Sequence, residues 1–295
     1  MKDEKIVIIG GVAGGASAAA RLRRLNEKSE IIMLEKGEHI SFANCGLPYY
    51  IGGVIESRDS LLVQTPEAMK ARFNIDVRVL NEVMRIDREK KEIEIKKLET
   101  GELYLESYDK LILSPGSIPL RPPIPGIDSE KIFTLWNIRD VDAIYNYIDE
   151  KKPQNAIVIG GGFIGIETAE NLRDRGLNVT LVEMANQIMA ALDIEMAEIV
   201  QNNVRENGIR LILQNGVKTF HDLGKSIRVE LQNGDEIEAD MVMLSIGVRP
   251  QSKLAIDAGL EVNERKGIVV DDHMMTSDPY IYAIGDAIEV EDYIS

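Results

Sequence analysis

Two glycine-rich turns and a single cysteine are the places in this chain where residue type and spacing can do chemistry. Gly160, Gly162 and Gly165 form G-x-G-x-x-G between an apolar run and a stretch of helical pattern. A pyrophosphate needs hydrogen-bond donors at close range. The first turn of a helix offers unpaired N–H groups and about half a unit of positive charge. Glycine removes the Cβ that would hold phosphates off and permits the tight strand-to-helix turn. Glu183 closes the next apolar run, where a carboxylate accepts hydrogen bonds from ribose hydroxyls. Met184, Ala185 and Asn186 follow with no Lys or Arg to receive a 2′-phosphate, so NADH is expected over NADPH.

An earlier stretch repeats the arrangement with one departure. Gly10 and Gly15 hold the first and third glycine positions, Val12 takes the second, and Gly11 and Gly14 lie beside it. Small residues at a strand–turn–helix also suit plain tight packing. Glu35, at the end of the next apolar run, favours a second dinucleotide site. Two such sites in one chain suit a bound flavin nucleotide and an exchanging nicotinamide nucleotide, arranged for hydride transfer. Cys45 is the one cysteine, which excludes a disulfide framework. Without further context a lone cysteine is most simply a small buried hydrophobe.

The elements that must position these residues also occur twice. Lys5 to Lys36 and Asn155 to Met184 each read as strand, glycine turn, helix with small residues on its first turns, and strand. Glu92–Ile95 and Leu103–Leu105 flank Thr100-Gly101, and the run Leu111–Gly116 follows; Ile227–Leu231 and Glu236–Ala239 flank Asn233-Gly234, with Met243–Gly247 after them. Asn-Gly between alternating strands signals a hairpin. The expected fold is α/β, two Rossmann-like three-layer domains, the second inserted in the first. Ile118–Gly126 is proline-rich and suits a crossing between domains, and a return crossing is expected near Gly247–Pro250. This puts the first domain at 1–117, the second at 118–247, and a return segment at 248–295, with extended runs at Gly267–Val270 and Ile281–Asp286.

Composition narrows the function classes. At 295 residues, 44% apolar and 28% charged, the chain is globular and long enough for two domains. A net charge of −15 argues against sequence-independent binding to nucleic acid or to an anionic membrane. No apolar run approaches the roughly 20 residues that span a bilayer, and Met1–Lys5 is charged rather than a signal-peptide core. A cytoplasmic protein is expected. His39, His221 and His273 are scattered without metal-ligand spacing, so no metal site is expected.

The segment Ile40–Gly53, ISFANCGLPYYIGG, following GGVAGGASAAARLRRL, resembles the coenzyme A-disulfide reductase branch of the FAD-dependent pyridine nucleotide-disulfide oxidoreductases, a branch that includes NADH-dependent persulfide reductases. Leu113–Ser117, Ser245–Pro250 and Thr276–Asp286 carry the resemblance along the rest of the chain. It implies that the first domain holds FAD and the second NAD. Gly10, Ala13, Gly14, Glu35 and Lys36 would then hold the ADP part of FAD. Val83 would touch adenine through its backbone, Ser114 and Gly116 would line the path, and Asp286 would bind the ribityl chain. Gly160, Gly162, Phe163, Ile164, Gly165, Glu183 and Gly247 would accept NAD, with Glu167 near the nicotinamide. The branch commonly lacks the glycine that Val12 replaces.

The resemblance makes Cys45 the redox centre, at the start of a helix, where the thiolate that attacks sulfur is favoured. Dithiol relatives carry a second cysteine a few residues on. Leu47, Pro48, Tyr49 and Tyr50 stand there instead, so the oxidised state must be a mixed disulfide with a small thiol, or a sulfenic acid. The helix after the first turn carries Arg21, Arg23 and Arg24, which suit either a solvated helix end or a phosphate anchor. The family uses the positions of Ser17, Arg21, Arg24, Ser41 and Asn44 for CoA, and a basic residue near Arg72 in some members. Phe42, Tyr49 and Tyr50 are read as packing residues.

Three functions follow: a CoA-disulfide or CoA-persulfide reductase acting on a small thiol or disulfide; an NADH oxidase or peroxidase cycling through a Cys45 sulfenic acid; and a non-catalytic nucleotide-binding module. The third gains weight because family members continue beyond Asp286 into a helix facing the flavin and a dimerisation domain. The chain is therefore expected to be a shortened piece of such a protein. Full-length relatives are expected as homodimers, and this chain on its own as a candidate monomer.

Overall fold

Runs of branched apolar residues, closed by glycine or charge, form the strands that carry the turns. The computed structural model describes residues 4–290, so readings that rest on Met1–Asp3 and Tyr293–Ser295 lie outside the described residues. β1 (Lys5–Ile9) and β2 (Glu30–Leu34) are buried from their second residue onward, as parallel strands covered on both faces must be. Between them α1 (Ala13–Leu25) turns Ala16 and Ala19 inward. The short α2 (Leu47–Gly52) follows, then α3 (Pro66–Phe73), whose Thr65 cap accepts a hydrogen bond from the Ala68 N–H at 3.2 Å. β3 (Asp76–Arg78) leads to an antiparallel sheet of β4 (Asn81–Asp87), β5 (Glu92–Lys97) and β6 (Leu103–Ser107), and then to β7 (Lys110–Leu113).

After β8 (Ser117–Pro119) the pattern recurs. β9 (Ile132–Phe133) and α4 (Ile138–Lys151) precede β10 (Asn155–Ile159), α5 (Phe163–Asp174) and β11 (Asn178–Val182). Next come α6 (Ile194–Glu206) and β12 (Arg210–Ile212), then the antiparallel β13 (Val217–Asp222), β14 (Ile227–Leu231) and β15 (Glu236–Ala239), and β16 (Met241–Leu244). The chain then runs through β17 (Val248–Pro250), α7 (Lys253–Asp257) and β18 (Ile281–Ala283). Gly267–Val270 forms isolated bridges through Ile268 rather than a strand.

These elements divide into two compact units. One comprises the chain up to Phe42, Leu62–Ile118 and the chain from Arg249; the other comprises Ala43–Leu61 and Pro119–Val248. Each contains a parallel five-stranded sheet, in the orders β18-β7-β1-β2-β3 and β12-β11-β10-β16-β9. In the first unit one face of the sheet packs Val7, Ile9, Ile32 and Leu34 on Ile86, Ile93 and Ile95 of the antiparallel sheet. Its other face packs Ile8, Ile31 and Met33 on the alanines of α1. The second unit sets Ile157, Ile159, Val182 and Leu244 against Phe220, Val229 and Leu231. Both are three-layer Rossmann-like units, the second inserted in the first.

The insertion has one part that the sequence boundaries do not contain. Ala43–Leu61 interrupts the first unit and packs with the second. Its neck is closed where the Ala43 N–H donates to the Leu61 carbonyl at 2.8 Å. Among the described residues no helix is long and apolar enough to cross a membrane.

Candidate functional site

In the first unit the turn after β1 is built by exclusion of side chains. Gly10 has φ +98°, and a Cβ there would lie 2.0 Å from the Ser114 carbonyl oxygen at the end of β7. A Cβ at Gly15 would lie 1.8 Å from the Gly10 carbonyl, so α1 can sit directly against the turn only with glycine in that place. The first turn of α1 has no acidic residue and no side-chain cap, which leaves its N–H groups available to an anion. Glu35 reaches back to the turn: its carboxylate accepts from the Gly11 N–H at 2.8 Å and the Gly37 N–H at 2.7 Å.

The second unit repeats this geometry at its first and third glycines and at its acidic residue. Gly160 has φ +104° and a would-be Cβ 2.2 Å from the Ser245 carbonyl, and that of Gly165 would fall 1.9 Å from the Gly160 carbonyl. Glu183 accepts from the Gly161 N–H at 2.6 Å and the Ala185 N–H at 2.7 Å. Gly162 is different, because a Cβ there would meet nothing within 4 Å. The protein's own packing gives no reason for glycine at 162, and the open space above the helix start fits a bound pyrophosphate. Phe163 and Ile164 beside it are exposed apolar residues, as is Met184 after Glu183. In the first unit Val12 caps α1 at the matching place, while Gly14, whose Cβ would crowd Ser114 Oγ at 2.7 Å, gives the close approach. Both cradles therefore fit dinucleotides.

Sequence reasoning assigned no role to Gly11 and Gly161. Their amides tie the acidic residue to the turn, and the signal was the Gly-Gly doublet that opens both turns. Of the other residues expected at the first cradle, Ser114 is half-buried at the end of β7, and Gly116 has φ +69°. Lys36 is exposed, and Val83 on β4 pairs with Ile95. Asp286 is exposed in the turn Gly285–Ala287 and accepts from Ser117 Oγ at 3.1 Å. In the second unit Gly247 is exposed with φ +108° at the end of the β16 run.

Ser17, Arg21 and Arg24 share one exposed face of α1, at helical spacing. Arg23 is the exception among the three arginines. It is buried, and its guanidinium donates to the carbonyls of Phe73, Asn74, Asn26 and Glu27 at 2.7–3.3 Å, closing the ends of α1 and α3. It is a structural strut and no phosphate anchor. Ser41 belongs to the first unit with φ +46°, and Arg72 is exposed on α3, over the Phe73 ring.

Asn44 and Cys45 belong to the second unit. They form a helical turn, Asn44–Gly46, that runs into α2, and both are exposed. Cys45 is a free thiol at the surface of its unit, the opposite of a buried core cysteine. α2 lies so close to α5 that a Cβ at Gly52 would fall 2.1 Å from Asn171 Oδ1. On α5, burial raises the Glu167 carboxyl above its ordinary range, with Glu170 adding to the effect. The charge on Glu167 in turn holds the Tyr49 phenol up, helped by burial, Glu170 and Cys45. Tyr50 stacks on Tyr145 of α4, so it is the packing residue, while Tyr49 faces the acidic side of α5.

Residues 4–294 match the family model described as pyridine nucleotide-disulphide oxidoreductase. The coenzyme A disulfide reductase of Staphylococcus haemolyticus is 36% identical over 284 residues, which are 96% of this chain and 63% of that protein. The solved structure of reduced Bacillus anthracis CoADR-RHD is 56% identical with a TM-score of 0.97, covering all of this chain and 53% of that one. That of an NAD-dependent persulfide reductase from A. fulgidus is 37% identical with a TM-score of 0.93, covering 96% and 53%. The chain thus spans between half and two thirds of the length of these relatives. Twin glycine cradles, each tied to its own carboxylate, and a match along nearly the whole sequence lead to one conclusion: the chain belongs to the pyridine nucleotide-disulphide oxidoreductase family.

Proposed function

We propose that this chain is the nucleotide-binding body of a cytoplasmic flavoprotein that uses NADH to reduce CoA disulfide or a CoA persulfide at Cys45. The observation that carries the reading is an exposed, unpaired thiol on a helical turn that runs into α2, which packs against the helix that begins at the second cradle. In this reading the first cradle holds FAD and the second NADH. The N–H groups of each helix start bind a pyrophosphate, and Glu35 and Glu183 keep lone pairs for ribose hydroxyls. With Met184, Ala185 and Asn186 beside Glu183, nothing there neutralises a 2′-phosphate, which favours NADH.

A bound FAD supplies the two-electron step between NADH and sulfur. The chain's own part is nucleophilic. The Cys45 thiolate attacks one sulfur of the substrate, the substrate S–S bond breaks, a mixed disulfide forms and the first product leaves as a thiolate that takes a proton from solvent. Two electrons from NADH then cleave the mixed disulfide, and a proton from solvent completes the second thiol. Arg21 and Arg24, exposed on one face of α1, suit the phosphates of CoA.

The test is to load the protein with FAD, add NADH and CoA disulfide, and weigh Cys45. The expected result is NADH-driven bleaching of the flavin, a CoA adduct on Cys45 of the oxidised protein, and loss of both adduct and thiol release in Cys45→Ser. Turnover with peroxide and none with CoA disulfide would replace this reading with an oxidase or peroxidase. Bound FAD without NADH-driven bleaching would leave a nucleotide-binding module.

A further inference from the structure

The segment that carries Cys45 is an excursion. Phe42 and Leu62, on either side of it, bridge each other within the first unit, yet everything between them belongs to the second. Three contacts hold it there. Arg58 donates from Nε to Asp142 Oδ1 at 2.8 Å and from Nη2 to Oδ2 at 2.7 Å, a two-pronged ion pair about one-third exposed on each side. Tyr50 stacks on Tyr145 with ring centroids 4.9 Å apart and planes 19° from parallel. Arg175, itself 2.9 Å from Asp149, lies 4.9 Å from the centroid of the same Tyr145 ring. Gly52 meets Asn171 of α5 with no room for a Cβ. Asp142 and Tyr145 are neighbours on one face of α4 at helical spacing, so this helix supplies both polar anchor and ring.

We propose that Asp142 and Tyr145 of α4 are positioning residues for Cys45, clamping its segment so that the thiol keeps a fixed place relative to the helix that starts at the second glycine turn. The proposal rests on the reading of Cys45 as the reacting sulfur. An exposed thiol on a short helical turn has little packing of its own to fix it. α2 is only six residues long, too short to hold a helix without tertiary contacts. Planar guanidinium–carboxylate pairing fixes direction as well as distance, and ring stacking fixes the tilt of α2. The same helix that begins at Phe163 carries Glu167 and Asn171, so the clamp sets the Cys45 turn relative to the nucleotide turn within one unit.

The test needs neither flavin nor NADH turnover. In the chain as it stands, backbone hydrogen exchange between Leu47 and Gly52 and the rate of Cys45 with 4,4′-dithiodipyridine are measured in four variants. Tyr145→Ala and Asp142→Asn are expected to speed both by about two- to tenfold, the span that one ring or charge contact commands. Gly52→Ala, which drives a methyl into Asn171 without touching α4, should do the same. Tyr145→Phe keeps the ring and should restore the parent values, a rescue that a role for the hydroxyl would not give. NADH binding at the second turn should stay at the parent value throughout, showing that the unit is folded. Parent-like exchange and thiol rates in Tyr145→Ala and Asp142→Asn would overturn the clamp, as would a Tyr145→Phe variant that behaves like Tyr145→Ala. A failure of the proposed reductase chemistry appears separately, as absence of a CoA adduct, and leaves these rates untouched.

Discussion

At the scale of single residues, the glycines of the second turn separate packing from binding. A Cβ at 165 would press on the Gly160 carbonyl at 1.9 Å, whereas one at 162 would enter open space. Gly165→Ala should therefore cost about 1–3 kcal/mol of stability, the usual penalty for overpacking. Gly162→Ala should stay within about 1 kcal/mol of the parent, mostly a capping effect, while weakening NADH binding. Thermal melts paired with NADH titration check both, and equal melting losses in the two variants would remove the distinction. The spacing of these glycines, and the acidic residues one strand later, were legible in the sequence because turn chemistry is local. Arg23 was not. The carbonyls it satisfies on Phe73 and Asn74 lie far along the chain, and nothing in RLRR tells the buried arginine from Arg21 and Arg24.

At the scale of elements, α4 carries a built-in pH dependence. Asn137 caps it by accepting from the Asp140 N–H at 2.9 Å, and burial raises the Asp140 carboxyl above its ordinary range against the pull of backbone hydrogen bonds at Asn137 and Trp136. A carboxyl raised in the folded state holds its proton more tightly folded than unfolded. Its contribution to stability is therefore complete below the unfolded value and declines as pH rises through the window up to the folded one. Asp140→Asn is expected to raise the melting temperature near neutral pH, with the gain vanishing in acid below the ordinary carboxylate range. A gain that persists in acid would point to some other cause. The hairpins β5–β6 and β14–β15 were legible from alternation around Thr100-Gly101 and Asn233-Gly234. The assignment of α2 to the second unit was not, because Gly52, Arg58 and Tyr50 find their partners on α4 and α5, at Asn171, Asp142 and Tyr145, far along the chain in every case. No local pattern announces such a meeting.

At the scale of the whole molecule, the core of the first unit holds a titrating group of its own. Tyr108, buried at the end of β6 beside the first sheet, has its phenol pushed up to about 12 by burial first and by Asp278 next. The sign is the same as for Asp140: the folded state resists ionisation, so stability is whole below pH 10.0 and falls as pH climbs toward about 12. Tyr108→Phe should remove that part of the alkaline decline, which denaturant melts across this range would show; a parent-like slope would place the alkaline weakness elsewhere. The doubling of the architecture was the most legible feature of all, since the two β-α-β units repeat element by element, glycine turn, helix and strand ending in Glu, from Gly10 to Glu35 and from Gly160 to Glu183.

The two five-stranded sheets share one order but not one source for the outermost strand. In the second, β9 comes from just upstream of β10; in the first, β18 comes from the far side of the insertion. A chain leaving the ribosome can therefore finish the later sheet while the earlier one still lacks its edge beside Leu111–Leu113. That row of unpaired backbone groups must wait for Ile281–Ala283 to emerge, and in the interval it is open to any strand that passes. The half that is translated first is the half that matures last.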